Sequence, residues 1–195
     1  MARISTADKA RVRVALLQTA AEHFAREGFE GASINRISLG AGFAKGTVYN
    51  YFPSKAALLA EVLRAGGDET LKLYRGRPAT DGVRAQLVAL VTADVEVVRA
   101  HEAFFRVVLR ELVSGRVETQ RLIDESMRSF AAEVASILAG ADSSRPMREQ
   151  TRLFLAQLSV LYIEQFRSEG AFPGWHRLPE LVVDTFLGGV PNTQS

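Results

Sequence analysis

Apolar residues recur every three to four positions along almost the whole of this chain, and no convincing run alternates at every second residue as a half-buried strand requires. A chain patterned in this way folds as an all-α protein. Leu16, Ala20 and Phe24, with Leu17 beside them, mark one face of a first helix predicted over residues 8–27, which Gly28 stops. Ser33 is placed to cap a short helix ending at Leu39, with Ile34 and Ile37 turned inward. Gly40 and Gly42 frame a tight turn, and residues 45–51 form another short helix. Pro53 breaks the chain, and Ser54 caps a fourth helix carrying Leu58, Leu59, Val62 and Leu63. Longer helices are predicted over 81–100, 101–112, 117–138, 146–167 and 179–187, each bounded by Gly, Pro or Ser. The pair Gly66-Gly67 marks an end or bend of the fourth helix or a hinge between domains, because each glycine inside a helix costs about 1 kcal/mol relative to alanine.

The 195 residues, 47% apolar and 24% charged, are enough for one ordinary domain or two small ones with a real core. Cysteine is absent, which excludes disulfides and thiolate chemistry and fits a reducing compartment. The basic amino-terminal stretch lacks the long apolar segment of a secretory signal. The most apolar run, 153–163, is interrupted by Gln157 and Ser159 and is too short to span a bilayer, so a cytoplasmic protein with no membrane partner is expected. Residues 1–52 hold seven basic and four acidic side chains, and the remainder seventeen and eighteen, so the positive charge sits at the amino end, where it suits phosphate binding.

A short capped helix, a glycine turn and a second short helix form a helix-turn-helix, whose second helix enters the major groove of DNA. On that second helix Lys45, Thr47, Tyr49 and Asn50 cluster as polar-tipped side chains, while Val48 and Phe52, four apart, anchor it inward. Gly46 allows close backbone approach. Asn and Lys hydrogen-bond base edges, the threonine methyl meets a thymine methyl, and phenols donate to phosphate oxygens. Lys55, in the first turn of the next helix, is expected to meet a phosphate.

The run from Ile37 through Gly42, Phe43, Lys45, Gly46, Thr47, Val48, Tyr49, Asn50, Tyr51 and Phe52, followed by Ser54-Lys55 and Leu58-Leu59, closely resembles the DNA-binding signature of TetR-family transcriptional regulators. The stretch His23 to Phe29 is similar to the end of that family's first helix. The resemblance covers roughly 45 residues and implies a helix-turn-helix domain over 8–65 (the motif at about 33–52) and a larger helical ligand-binding and dimerisation domain over 66–195. It places Ser33 near phosphate, Lys45, Gly46, Thr47, Tyr49 and Asn50 on the recognition helix, and Tyr51 and Lys55 on backbone contacts. Ala44 stands where the family often has serine or threonine, and Phe43 where it has a smaller aliphatic. The function so implied is that of a homodimeric, sequence-specific repressor on a near-palindromic operator, released by a small-molecule effector, with activation as the alternative. Asn35 and Arg36 face outward on the second helix, either solvated or within reach of DNA.

Two other classes remain beside this one, an all-helical enzyme and a protein-binding adaptor. Gly40-x-Gly42 with Gly46 lacks the preceding strand of a nucleotide loop. His23, His101 and His176 are scattered without metal-ligand spacing, and no nucleophile motif is present, so no catalytic residue, metal or cofactor is expected. Phe104, Phe105, Phe130, Phe154, Tyr162 and Phe166 exceed what a small bundle needs. With His101, Arg106 and Arg110 as polar anchors, they are expected to line a pocket for an apolar or aromatic ligand, His101, Phe104, Phe105, Arg106, Phe130, Phe154 and Tyr162 being the chosen set. Residues 153–166 are apolar around most of a helix, which one monomer cannot bury. A four-helix bundle with a second copy is expected through Leu158, Leu161, Tyr162, Val183, Phe186 and Leu187.

Overall fold

Gly28 stops the long run of the first helix, as its place in the sequence predicts: its φ of 72° and ψ of 175° are non-helical and open to glycine, and past this kink a single further turn runs to Gly31. The computed structural model describes residues 6–140 and 146–188, the side chains of Thr6 and Phe104 excepted. Among these residues there are ten helices and no strand: α1 (Thr6–Gly31), α2 (Ile34–Gly40), α3 (Lys45–Tyr51), α4 (Lys55–Arg75), α5 (Val83–Ala100), α6 (Glu102–Ser114), α7 (Val117–Ser126), α8 (Arg128–Leu138), α9 (Met147–Arg167) and α10 (Leu178–Gly188). The protein is all-α, as its periodicity requires. The helix expected over 117–138 is two, parted at Met127, where the amide closes on Ile123 and the Ser126 hydroxyl also donates to the Ile123 carbonyl. The Gly66-Gly67 pair lies inside an unbroken α4.

The helices gather into two units. The first takes the chain up to Gly66 together with His101–Met127, and the second takes Gly67–Ala100 together with the described residues from Arg128 onward. In the first, Leu16, Ala20, Phe24, Ile37, Val48 and Leu58 are fully buried, and Val107 of α6 and Ile123 of α7 close the same core. Phe52 and Phe24 are the largest side chains there, and the Phe24 ring stacks on Phe29 at 6.2 Å. In the second, α5 packs against α10 and α8 and buries Leu87, Leu90, Val91 and Val98, α8 buries Val134 and Leu138, and the Phe154 ring of α9 meets Phe186 of α10 edge-on at 5.2 Å. No helix among the described residues is long and apolar enough to cross a membrane.

Candidate nucleic-acid interface

The motif is built from α2, a glycine turn and α3. Ser33 holds the N-cap position of α2 with extended backbone (φ −113°, ψ 124°), but its hydroxyl makes no capping bond. Ile34 and Ile37 are buried, which fixes the roll of the helix. The end of α2 is closed by Phe43 N donating to Ser38 O at 2.8 Å and Gly42 N to Leu39 O at 3.0 Å, the paired bonds of a Schellman motif. That motif needs a left-handed residue at Gly42, whose φ is 79°. α3 then starts at Lys45, held by Val48 at zero exposure and by Phe52 just beyond its end.

With Val48 inward, Lys45, Gly46, Tyr49 and Asn50 are exposed and Thr47 is half-buried. Tyr49 keeps 46% of its surface in water although its neighbour Val48 is fully buried. Tyr51 is half-buried and tilts against Phe52 at 6.3 Å, so the two tyrosines that alternate in sequence differ in environment. Lys55 is turned toward the protein: its ammonium donates to Glu30 O at 3.2 Å and Ala32 O at 3.3 Å and lies 4.7 Å from the centre of the Phe29 ring. Arg36 bonds Glu27 and donates to Gly31 O at 3.0 Å. The Arg26 guanidinium, with His23 and Arg36, holds the Glu27 carboxyl below its ordinary range against a smaller desolvation.

The family model for bacterial regulatory proteins of the tetR family matches residues 16–62, the stretch from mid-α1 through the motif into α4. A TetR-family regulator from Bordetella parapertussis has the same architecture at a TM-score of 0.69 and 25% identity, over 94% of this chain and 98% of that one. Residues 16–62 are thus similar to the DNA-binding segment of the tetR family. Among curated TetR-family relatives, the transcriptional repressor KstR2 of Rhodococcus jostii is 35% identical over 96 residues, 49% of this chain and 47% of that protein. The chain spans about half the length of such relatives in these matches. At the level of fold, FadR of Bacillus subtilis, solved in complex with stearoyl-CoA, is similar at a TM-score of 0.79 over 91% of this chain and 99% of its own, with 16% identity.

The residues expected to hold an effector are divided between the two units. His101, Phe105 and Arg106 belong to the first unit, Phe130, Phe154 and Tyr162 to the second, and the Phe104 side chain lies outside the described residues. Arg106 pairs with Glu102 one turn away. Arg110 donates to Ala25 O and Arg26 O at 3.0 and 2.7 Å, which occupies it with backbone. Phe130 and Phe154 are core residues at 2% and 0% exposure. A groove of about 820 Å³ in the second unit is lined by Asp68, Leu71, Lys72, Arg75, Ser129 and Glu133 among others, none of them in the expected set.

What sequence reasoning missed is Asp94. It sits on the buried face of α5 between Val91 and Val98, where its carboxylate accepts from Thr70 at 2.9 Å and from Tyr162 at 2.7 Å. Burial pushes its carboxyl up to about 6, although both hydrogen bonds act the other way, and burial beside this acid raises the Tyr162 phenol well above its ordinary range. The signal was present, since an aspartate interrupts the apolar stripe of Leu87, Leu90, Val91 and Val98 at helical spacing.

Of the residues expected at the dimer, Leu158, Tyr162 and Val183 are turned into their own unit, at 4%, 4% and 0% exposure. Their side chains are already covered in one protomer and are not offered to another. Leu161 and Phe186 are half-buried, and Leu187 is exposed. The open face of α9 carries Leu153, Ala156 and Val160 instead.

Proposed function

We propose that the chain is a sequence-specific DNA-binding regulator of transcription, a repressor acting as a homodimer on a near-palindromic operator and released when a small ligand with an apolar body binds its second unit. The reading rests on α3, where Val48 and Phe52 seat a helix whose other side exposes Lys45, Gly46, Tyr49 and Asn50, with Thr47 half-buried among them. In this reading those five face the major groove, with Ser33 and Tyr51 toward the phosphates. The repressor KstR2 as a relative and the stearoyl-CoA held by the Bacillus subtilis FadR support release by an apolar effector. An open apolar face on α9 and the exposed Leu187 on α10 support the two-fold bundle, which sets two reading helices about 34 to 36 Å apart.

Selection of duplexes from a randomised library, followed by affinity measurements on selected and scrambled sequences at several salt concentrations, tests this reading. Selected duplexes bind more tightly, and affinity falls with salt as counterions are released. Asn50→Ala costs about 1 to 3 kcal/mol on the selected duplex and flattens the preference between sequences. Failure to enrich any duplex sinks the reading.

A further inference from the structure

Between Ala25 and Ala32, five backbone carbonyls accept from cationic side chains. Arg110 takes Ala25 and Arg26, Arg36 takes Gly31, and Lys55 takes Glu30 and Ala32. On the same stretch, Phe29 N donates to the buried carboxylate of Glu111 at 3.0 Å. The last carbonyls of a helix lack intrahelical partners and carry the negative end of its dipole, so cations gather there. This corner sets the angle at which α2, and α3 behind it, leave α1. Of the three cations, Lys55 is the one that follows α3 directly, three residues after Phe52.

We propose that Lys55 is a positioning residue for DNA recognition, acting by stapling the start of α4 to the α1–α2 corner rather than by holding a phosphate. Its ammonium has three hydrogens, two of them directed to Glu30 O and Ala32 O, and the Phe29 ring lies 4.7 Å away. The amino end of α3 is fixed by the Schellman turn at Gly42 and its carboxyl end by Phe52 in the core, so the remaining freedom is the tilt of α3 against α1. The Lys55 staple removes it. A phosphate contact adds to binding on every sequence, whereas a fixed tilt matters only where base edges must meet side chains.

The proposal rests on the DNA-binding reading above, and the experiment separates the two. Lys55→Gln, neutral but still a donor, Lys55→Met, neutral and without donors, and Lys55→Arg are compared with wild type on a selected and a scrambled duplex across 50 to 200 mM salt. The expected result is a loss of about tenfold for Lys55→Met on the selected duplex alone, the size of a charged hydrogen bond. Lys55→Gln falls between Lys55→Met and wild type, Lys55→Arg stays near wild type, and all three keep the wild-type salt slope. A slope reduced by about one on both duplexes in Lys55→Gln makes Lys55 a phosphate ligand and overturns the proposal. So does unchanged affinity in Lys55→Met. If Lys55→Met does not fold, the slope and affinity of Lys55→Gln decide. If wild type binds no duplex, the DNA-binding reading fails instead.

Discussion

Single residues carry two kinds of information here, only one of which is written in the side chain. Val48 inward with Lys45, Tyr49 and Asn50 outward was legible, because helical spacing sorts side chains by face. The partners of Lys55 and Arg110 were not, since their acceptors are backbone carbonyls and every residue has one. Asp94 falls between these cases: its oddness is visible in the apolar stripe, but Thr70 and Tyr162 come from distant positions. Its raised pKa has a definite sign. An unfolded aspartate releases its proton near 3.8 and the folded one at about 6, so between these values the folded state holds a proton that the unfolded state has lost. Stability from this group is therefore present at low pH and falls as pH rises through that window, by about 3 kcal/mol for a gap of about two pH units. Asp94→Asn removes the dependence. The unfolding free energy of wild type minus that of Asp94→Asn should drop by about 2 kcal/mol between pH 4 and 6.5 in denaturant titrations, and a flat difference contradicts the assignment.

At the scale of elements, α9 shows what periodicity can and cannot say. Apolar residues around most of a helix announce that two layers must cover it, but not which residues belong to which layer. The protein's own core takes Phe154, Leu158 and Tyr162, leaving Leu153 at 49% and Val160 at 58% exposure. Residues 153, 156, 160 and 163 follow one another at three- and four-residue steps, the spacing of a helix-packing seam. Val160→Glu should therefore yield a folded protein that sediments as a monomer at micromolar concentration and binds operator weakly. Leu158→Glu buries a charge without a partner and should cost several kcal/mol of monomer stability, melting far below wild type. A Val160→Glu protein that remains dimeric places the seam elsewhere. The 117–138 stretch repeats the lesson: the spacing continues through Met127, while hydrogen bonds local to Ser126 and Met127 divide it into α7 and α8.

Over the whole molecule, the chain passes between its two units three times: inside α4 at Gly66 and Gly67, after Ala100, and after Met127. A seam drawn after residue 65, natural from the sequence, omits Val107 and Ile123, which close the core that seats α3, and also Arg110 and Glu111, which hold the α1–α2 corner. A fragment of residues 1–66 should accordingly show no cooperative thermal transition by circular dichroism, and adding residues 101–127 through a flexible linker should restore one. A cooperative transition in the short fragment alone would show that α6 and α7 are dispensable to it. For anyone grafting the surface of α3 between related chains, or for natural recombination doing the same, the transferable cassette is then discontinuous. An exchange at the glycine pair alone carries α3 and its exposed side chains but leaves behind part of the spine on which they are set.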